Sequence, residues 1–145
     1  MRIVVGMTGA SGAIYAYTLV RALHALGVET HLIPTEMAGK VLKFECGVSM
    51  DEMKNYAKVL DNRNLFASVA SGSFRTDGMV IIPCSMNTLG AIANGAGDTL
   101  LSRTAGVMLK EKRKLIVVPR EMPVSLIQLE NMTRLARAGA DIMPA

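Results

Sequence analysis

The sequence predicts an α/β fold of the Rossmann-like or flavodoxin-like kind, a doubly wound parallel sheet with helices on both faces. Three observations lead there. Short apolar, β-branched runs alternate with segments of helical periodicity along the chain. Several of those runs end in small, hydroxyl-bearing or amide residues that open the next helix. The chain has 145 residues, half of them apolar, which suits one ordinary domain with a proper core.

Taken in order, the first strand is expected over residues 3–5 and runs into Gly6-Met7-Thr8-Gly9-Ala10-Ser11-Gly12-Ala13, a small-residue turn leading into a helix over 13–26. A second strand over 28–33 ends in His31-Leu32-Ile33-Pro34-Thr35-Glu36 and precedes a helix over 37–44. Ser49-Met50-Asp51-Glu52 reads as a capping box opening a short helix, with the Ser hydroxyl and the Glu carboxylate satisfying opposite backbone donors. Residues 57–74 carry no clear periodicity and include the polar turn Ser71-Gly72-Ser73-Phe74-Arg75. A third strand over 79–82 ends in Pro83-Cys84-Ser85-Met86-Asn87-Thr88-Leu89, with a helix over 86–94. A helix over 99–111 follows, then a strand over 115–118, a helix over 125–138 and a final strand at Ile142-Met143. No internal repeat, low-complexity tract or linker interrupts the pattern, so residues 1–145 are expected to form a single domain.

Composition narrows the function. The formal net charge is +4, but the basic residues are scattered, aromatic residues make up 4% and Trp is absent, so no stacking platforms for nucleic acid arise. An anionic small ligand is the better expectation. The 11 Met residues are read as packing. Cys46 and Cys84 offer neither a disulfide framework nor metal-ligand spacing, and they fit a reducing cytoplasm. Cys84 has no base near it in sequence and is read as a small buried residue. His24 and His31 lie on different elements without acidic or thiol neighbours at ligand spacing, so no metal site is expected. No signal peptide is evident, and no segment reaches the roughly 18 to 20 apolar residues of a membrane span, so a soluble protein without membrane partners is expected.

In an open parallel sheet, ligands sit in the crevice outside the carboxyl ends of the strands. The 6–13 turn suits close approach of a phosphate to a helix N-terminus, although a purely structural βα turn reads the same way. A dinucleotide site places an acid about 20 residues beyond the glycines. Glu36 stands near that position, but Thr35 precedes it and its hydroxyl suits a phosphate or flavin edge, which puts FMN ahead of NAD. Ser85 is an N-cap, and with its neighbours it also forms a wall of donors facing the same crevice. Arg120-Glu121, directly after Pro119, is either a base and an acid aimed at a ligand or an exposed ion pair. Arg103 and Lys110 are seven residues apart on one helix face and are placed to grip a second anion together. The rest of the run Lys110-Glu111-Lys112-Arg113-Lys114 reads as a solvated helix C-terminus.

The 6–13 turn, Ser71-Gly72-Ser73-Phe74-Arg75-Thr76-Asp77-Gly78-Met79, Pro83-Cys84-Ser85-Met86, Leu109-Lys110-Glu111, Val118-Pro119-Arg120-Glu121-Met122-Pro123 and Leu129-Glu130-Asn131-Met132 run in one order over almost the whole chain. In this the chain resembles the flavin prenyltransferases of the UbiX type, and within them the B subunit of phenolic acid decarboxylases. The resemblance implies metal-independent transfer of a dimethylallyl group from dimethylallyl monophosphate to reduced FMN, closing a fourth ring through N5 and C6. The prenylated FMN then serves a partner decarboxylase.

Carried over by position, FMN is held by Gly9, Ala10 and Ser11, by Thr35, by Ser85, Met86, Asn87 and Thr88, and by Arg120. Glu121 relays a proton near flavin N5 with help from Ser11, while Arg103 and Lys110 steady the departing phosphate. Family members assemble into trimers and then dodecamers, with neighbouring subunits completing the site, so a homo-oligomer is expected.

The chain departs from the family pattern in four places. It stops at Ala145, where the family continues through a segment bearing a Tyr and a basic residue for the prenyl phosphate, so the chain is expected to lack that tail. Thr35 stands where Ser is usual, Glu36 where a basic or small residue is common, and Leu65 where some relatives carry Trp. Two other functions remain as alternatives. One is a non-catalytic FMN-binding accessory subunit of a decarboxylase. The other is a flavin-dependent cysteine decarboxylase of the phosphopantothenoylcysteine type, whose chemistry relies on a His at a helix start, and neither His24 nor His31 is so placed.

Overall fold

The structure, a computed structural model, describes residues 1–145. Six parallel strands, β1 (Arg2–Met7), β2 (Glu29–Pro34), β3 (Lys58–Val59), β4 (Gly78–Cys84), β5 (Lys114–Pro119) and β6 (Asp141–Ile142), form one sheet in the order β3-β2-β1-β4-β5-β6. The chain winds outward from β1 on one side and from β4 on the other, so the strand order reverses between these two central strands. That reversal opens a crevice at their carboxyl ends.

Six helices connect the strands: α1 (Ala13–Ala25), α2 (Glu36–Cys46), α3 (Met50–Met53), α4 (Met86–Ala93), α5 (Leu100–Lys110) and α6 (Leu126–Arg137). Because successive strand side chains point to opposite faces, neighbours in β1 serve different cores. Val5 and Met7 pack with Ala16, Val20, Leu32 and Leu42 beneath α1 and α2, while Val4 joins Ile33, Met79, Ile81, Leu89, Leu101 and Leu115 beneath α4, α5 and α6. The expected doubly wound sheet with helices on both faces is what forms. No helix is long and apolar enough to cross a membrane.

The departures are local. Residues 57–74 contribute the two-residue edge strand β3 and a 3₁₀ turn at Ser68–Ala70, both too short to leave a periodic pattern. The last strand begins at Asp141, one residue before the expected start. Only half of the expected capping box at α3 forms: Glu52 N–H donates to Ser49 Oγ, without the reciprocal bond. Complete boxes occur instead at Thr99 with Ser102 and at Ser125 with Gln128.

Candidate functional site

At the carboxyl edge three ties hold the strand ends together. The Thr35 N–H donates to the Met7 carbonyl at 2.9 Å, and the Arg120 N–H to the Cys84 carbonyl at 3.3 Å. Between them, the Thr8 hydroxyl donates to the Pro83 carbonyl at 2.6 Å and accepts from the Ser85 N–H at 2.9 Å. Residues distant in sequence are thereby gathered on one rim: Gly9, Ala10 and Ser11 after β1, Thr35 after β2, Ser85, Met86, Asn87 and Thr88 after β4, and Arg120 and Glu121 after β5.

Local chemistry sets each turn. Gly12 caps α1 at φ +106°, a left-handed conformation that favours glycine. At Gly9 a Cβ would stand 2.5 Å from Met37 Cβ, so only glycine lets α2 lie this close to the first turn. Thr35 Oγ1 accepts from Ala38 N–H and Ser85 Oγ from Thr88 N–H, each capping a helix whose first donors face the crevice. Ser85 also donates to Thr88 Oγ1 at 3.1 Å. Beside Thr35 an open cavity of about 660 Å³ is lined by residues including Glu36, Gly39, Leu60, Asn62 and Arg63. Cys84 is fully buried, and burial pushes its thiol up to about 12, so it packs and does not attack.

One site residue escaped the sequence reading. Glu45 lays its carboxylate across the N-terminus of α1, accepting from Ser11 Oγ at 3.2 Å and from the Gly12 and Ala13 N–H groups at 3.1 Å each. The Ala13 N–H, followed by the Gly12 N–H, the Ser11 hydroxyl and the charge of Arg120, holds this carboxyl below its ordinary value. A signal existed: an acid in the last turn of a helix opposes the dipole and needs a reason to be there.

Arg120 and Glu121 do not pair with each other. The Arg120 side chain lies against Gly12, its Cδ 3.9 Å from where a Cβ would stand, and one Glu121 carboxylate oxygen accepts from the Met122 N–H at 3.3 Å. Both are exposed. The exposed ion pair is therefore ruled out in favour of two separately presented groups.

Arg103 and Lys110 share the exposed side of α5, as their spacing implies. Arg103 Nε donates to the Gly97 carbonyl at 3.5 Å, while Lys110 pairs with Glu111 beside Gly72. α5 ends just before β5 begins, so Lys110 lies at the amino edge of the sheet. Six residues of β5 separate that edge from Arg120, about 20 Å at roughly 3.3 Å per residue. Within one chain the structure does not bring Lys110 to the crevice.

The Flavoprotein family matches residues 1–145. The chain is 51% identical over 145 residues to flavin prenyltransferase LpdB of Lactiplantibacillus plantarum, an alignment covering 99% of this chain and 78% of that protein. Among solved structures it is similar to AnUbiX (PadA1) in complex with FMN and dimethylallyl pyrophosphate, with a TM-score of 0.97 and 49% identity over 99% of this chain and 77% of that one. It is also similar to a dodecameric FMN-dependent UbiX-like decarboxylase from Escherichia coli O157:H7, with a TM-score of 0.97 and 46% identity over 99% of this chain and 79% of that one.

Proposed function

The chain belongs to the Flavoprotein family, and on that premise we propose that it is a flavin prenyltransferase that moves a dimethylallyl group from dimethylallyl monophosphate to reduced FMN. One observation carries the reading: four strand-end turns converge on a single crevice, with Arg120 laid against the first turn and Glu121 beside it. The residues fit a flavin mononucleotide. The α1 N-terminus, with Ser11, already accommodates the carboxylate of Glu45, which marks these groups as suited to an anion. Thr35, Ser85, Asn87 and Thr88 add polar partners for ribityl and ring oxygens, with the backbone of Gly9, Ala10 and Met86 alongside.

Reduced FMN, when bound, supplies the nucleophilic N5 and C6 positions. The chain's own residues orient the reactants and handle protons and charge. Glu121 would exchange a proton at N5 of the bound flavin, and Ser11, held by Glu45, lies on the same rim. Breaking an allylic C–O bond leaves charge on phosphate, which calls for cations fixed in advance. Arg120 is one. Arg103 and Lys110 serve when a second copy of the chain presents its α5 to this crevice; that a similar protein is dodecameric supports assembly of copies, and the distance of Lys110 from its own crevice calls for one. We place the protein in the cytoplasm as a single flavin-binding domain in a trimer-based homo-oligomer, delivering prenylated FMN to a decarboxylase. A cysteine decarboxylase has no support here: His24 lies in the last turn of α1, and His31 is buried in β2 against Glu29.

The test is anaerobic incubation with reduced FMN and either dimethylallyl monophosphate or pyrophosphate, followed by mass spectrometry of the flavin. Flavin heavier by one prenyl unit with the monophosphate is the expected result. Modification only with pyrophosphate overturns the donor, and bound but unmodified flavin with both makes the chain a binding subunit.

A further inference from the structure

The hydrogen-bond ladder between β1 and β4 stops at the pair Gly6 and Ile81. Beyond that pair the two strands run into the turns that carry Gly9 to Ser11 on one side and Ser85 to Thr88 on the other. β4 itself loses its regular register between Ile81 and Cys84, so continued strand pairing does not keep these turns in place. Thr8 joins them instead. Its N–H donates to the Pro83 carbonyl at 3.3 Å and its hydroxyl donates to the same carbonyl, while the hydroxyl oxygen accepts from Ser85 N–H. That oxygen also lies 3.5 Å from the Ala10 N–H. Thr8 is 1% exposed, and its bond to the Pro83 carbonyl is buried from water.

We infer that Thr8 is a positioning residue of the flavin site: its hydroxyl sets the separation of the two turns that grip one flavin from opposite strands. The inference rests on the function proposed above, in which both turns contact FMN.

Two features single Thr8 out. The ties from Thr35 to Met7 and from Arg120 to Cys84 run backbone to backbone, and a side-chain substitution leaves their atoms in place. The Thr8 tie keeps one backbone bond, from its N–H to the Pro83 carbonyl, but its two shorter bonds run through the side chain, one of them spanning 77 positions of sequence to Ser85. Ser85 is also the N-cap of α4, so the same hydroxyl governs where that helix starts. Valine keeps the shape of threonine and removes the donor and the acceptor. The half-buried Ser85 N–H then loses its partner, a costly state that the turn relieves by moving toward water. Once the turn moves, donors on the two sides no longer meet one ligand together, and displacement of such donors by about 1 Å is enough to weaken a preorganised site severely.

The experiment is FMN titration, followed by flavin fluorescence and the visible spectrum, of the wild-type chain and of Thr8→Val, Thr8→Ser and Val20→Ala. Val20 is fully buried on the inner face of α1, two turns from its N-terminus, and its truncation is a control for lost stability alone. Thr8→Val is expected to weaken FMN binding by about tenfold to a hundredfold, the consequence of leaving the Ser85 donor unpaired. Thr8→Ser, which keeps the hydroxyl, is expected within about threefold of wild type with the bound-flavin spectrum preserved, and Val20→Ala is expected to melt earlier yet bind FMN normally. Should Thr8→Val not fold, Thr8→Ala removes the same hydroxyl and takes its place. FMN affinity unchanged in the hydroxyl-free variant, or lowered equally in Val20→Ala, overturns the positioning role. Wild-type protein that fails to bind FMN overturns the flavin reading of the crevice itself, and is told apart because it precedes any comparison of variants.

Discussion

At the amino edge of the sheet Arg2 donates to Glu29 at 2.7 Å and to the Arg75 carbonyl at 2.8 Å and lies 4.3 Å over the Phe74 ring, whereas at the carboxyl edge Arg120 rests against Gly12 in no ion pair. The contrast extends along both edges. His31 meets Glu29 at 2.8 Å, Lys114 meets Asp141 at 2.8 Å, and the Arg113 guanidinium donates to the Gly72 and Phe74 carbonyls. The carboxyl edge has exposed pairs of its own beside Thr35, Asp61 with Arg63 and Glu36 with Lys40, but around the first turn it presents an unpaired base, an unpaired acid and several hydroxyls, joined by backbone ties and the Thr8 hydroxyl. Charges that close on one another hold a fold together. Charges held apart beside helix N-termini await a ligand. The same sheet thus separates a structural edge from a binding edge.

The largest effect is expected from breaking the binding edge alone. Glu121→Gln removes an exposed carboxylate and is expected to slow prenyl transfer by about 10² to 10⁴-fold, the usual range for a positioned acid or base. Its thermal stability should stay within about 0.5 kcal/mol of wild type, as for surface changes generally. Single-turnover assays paired with thermal melts read both quantities. Equal transfer rates would remove Glu121 from the chemistry. Lys110→Ala sharpens the comparison further, because the proposed function has Lys110 act at the crevice of a second copy: mixing it with Glu121→Gln and reassembling the oligomer should then give faster transfer than either variant alone.

A middle-sized effect of the opposite kind belongs to Arg113. This half-buried guanidinium holds two carbonyls of the 71–75 turn, so Arg113→Met is expected to lower stability by about 2 to 3 kcal/mol, the cost of losing charged hydrogen bonds and stranding their partners. FMN affinity in the same variant should change by no more than about twofold, since additivity holds for sites this far apart. Denaturant melts and flavin titration decide it. Lost FMN affinity with unchanged stability would erase the division between the edges.

Much of the binding edge was legible because its physics is local. Ser85 is readable as an N-cap from its place before an apolar period, and the 6–13 turn declares itself by its small residues. Arg120 and Glu121 were legible from the abrupt end of an apolar strand. Glu45 was not, because its partners lie 32 to 34 positions earlier and depend on where α2 comes to rest. The amino edge was equally hidden: Arg2 and Asp77, Arg113 and Gly72, or Lys114 and Asp141 meet only after the sheet has formed. β3 escaped because two residues leave no period to count. The spacing of Arg103 and Lys110 correctly gave their shared helix face, but helix periodicity says nothing about which edge of the sheet the face reaches.

The smallest effect is a slope in acid. Glu29 is held down at about 2, first by the hydrogen bond from Arg2 and then by that from His31. A carboxyl whose folded value is depressed contributes stability that is fully present above its unfolded value of about 4.3 and is lost as pH falls through the folded value. Wild-type stability should therefore decline between about pH 4.3 and pH 2 more steeply than that of Glu29→Gln, with the two curves parallel at higher pH. Glu29 is exposed and its network is partly screened, so the difference is expected to shrink as salt is raised. Melting curves across that pH range at low and high salt measure it. Repeating them with saturating FMN tests the division directly. A ligand confined to the carboxyl edge raises every melting temperature in the range where it binds but leaves the Glu29 slope intact, whereas a slope that flattens on binding would show the two edges to be one coupled unit.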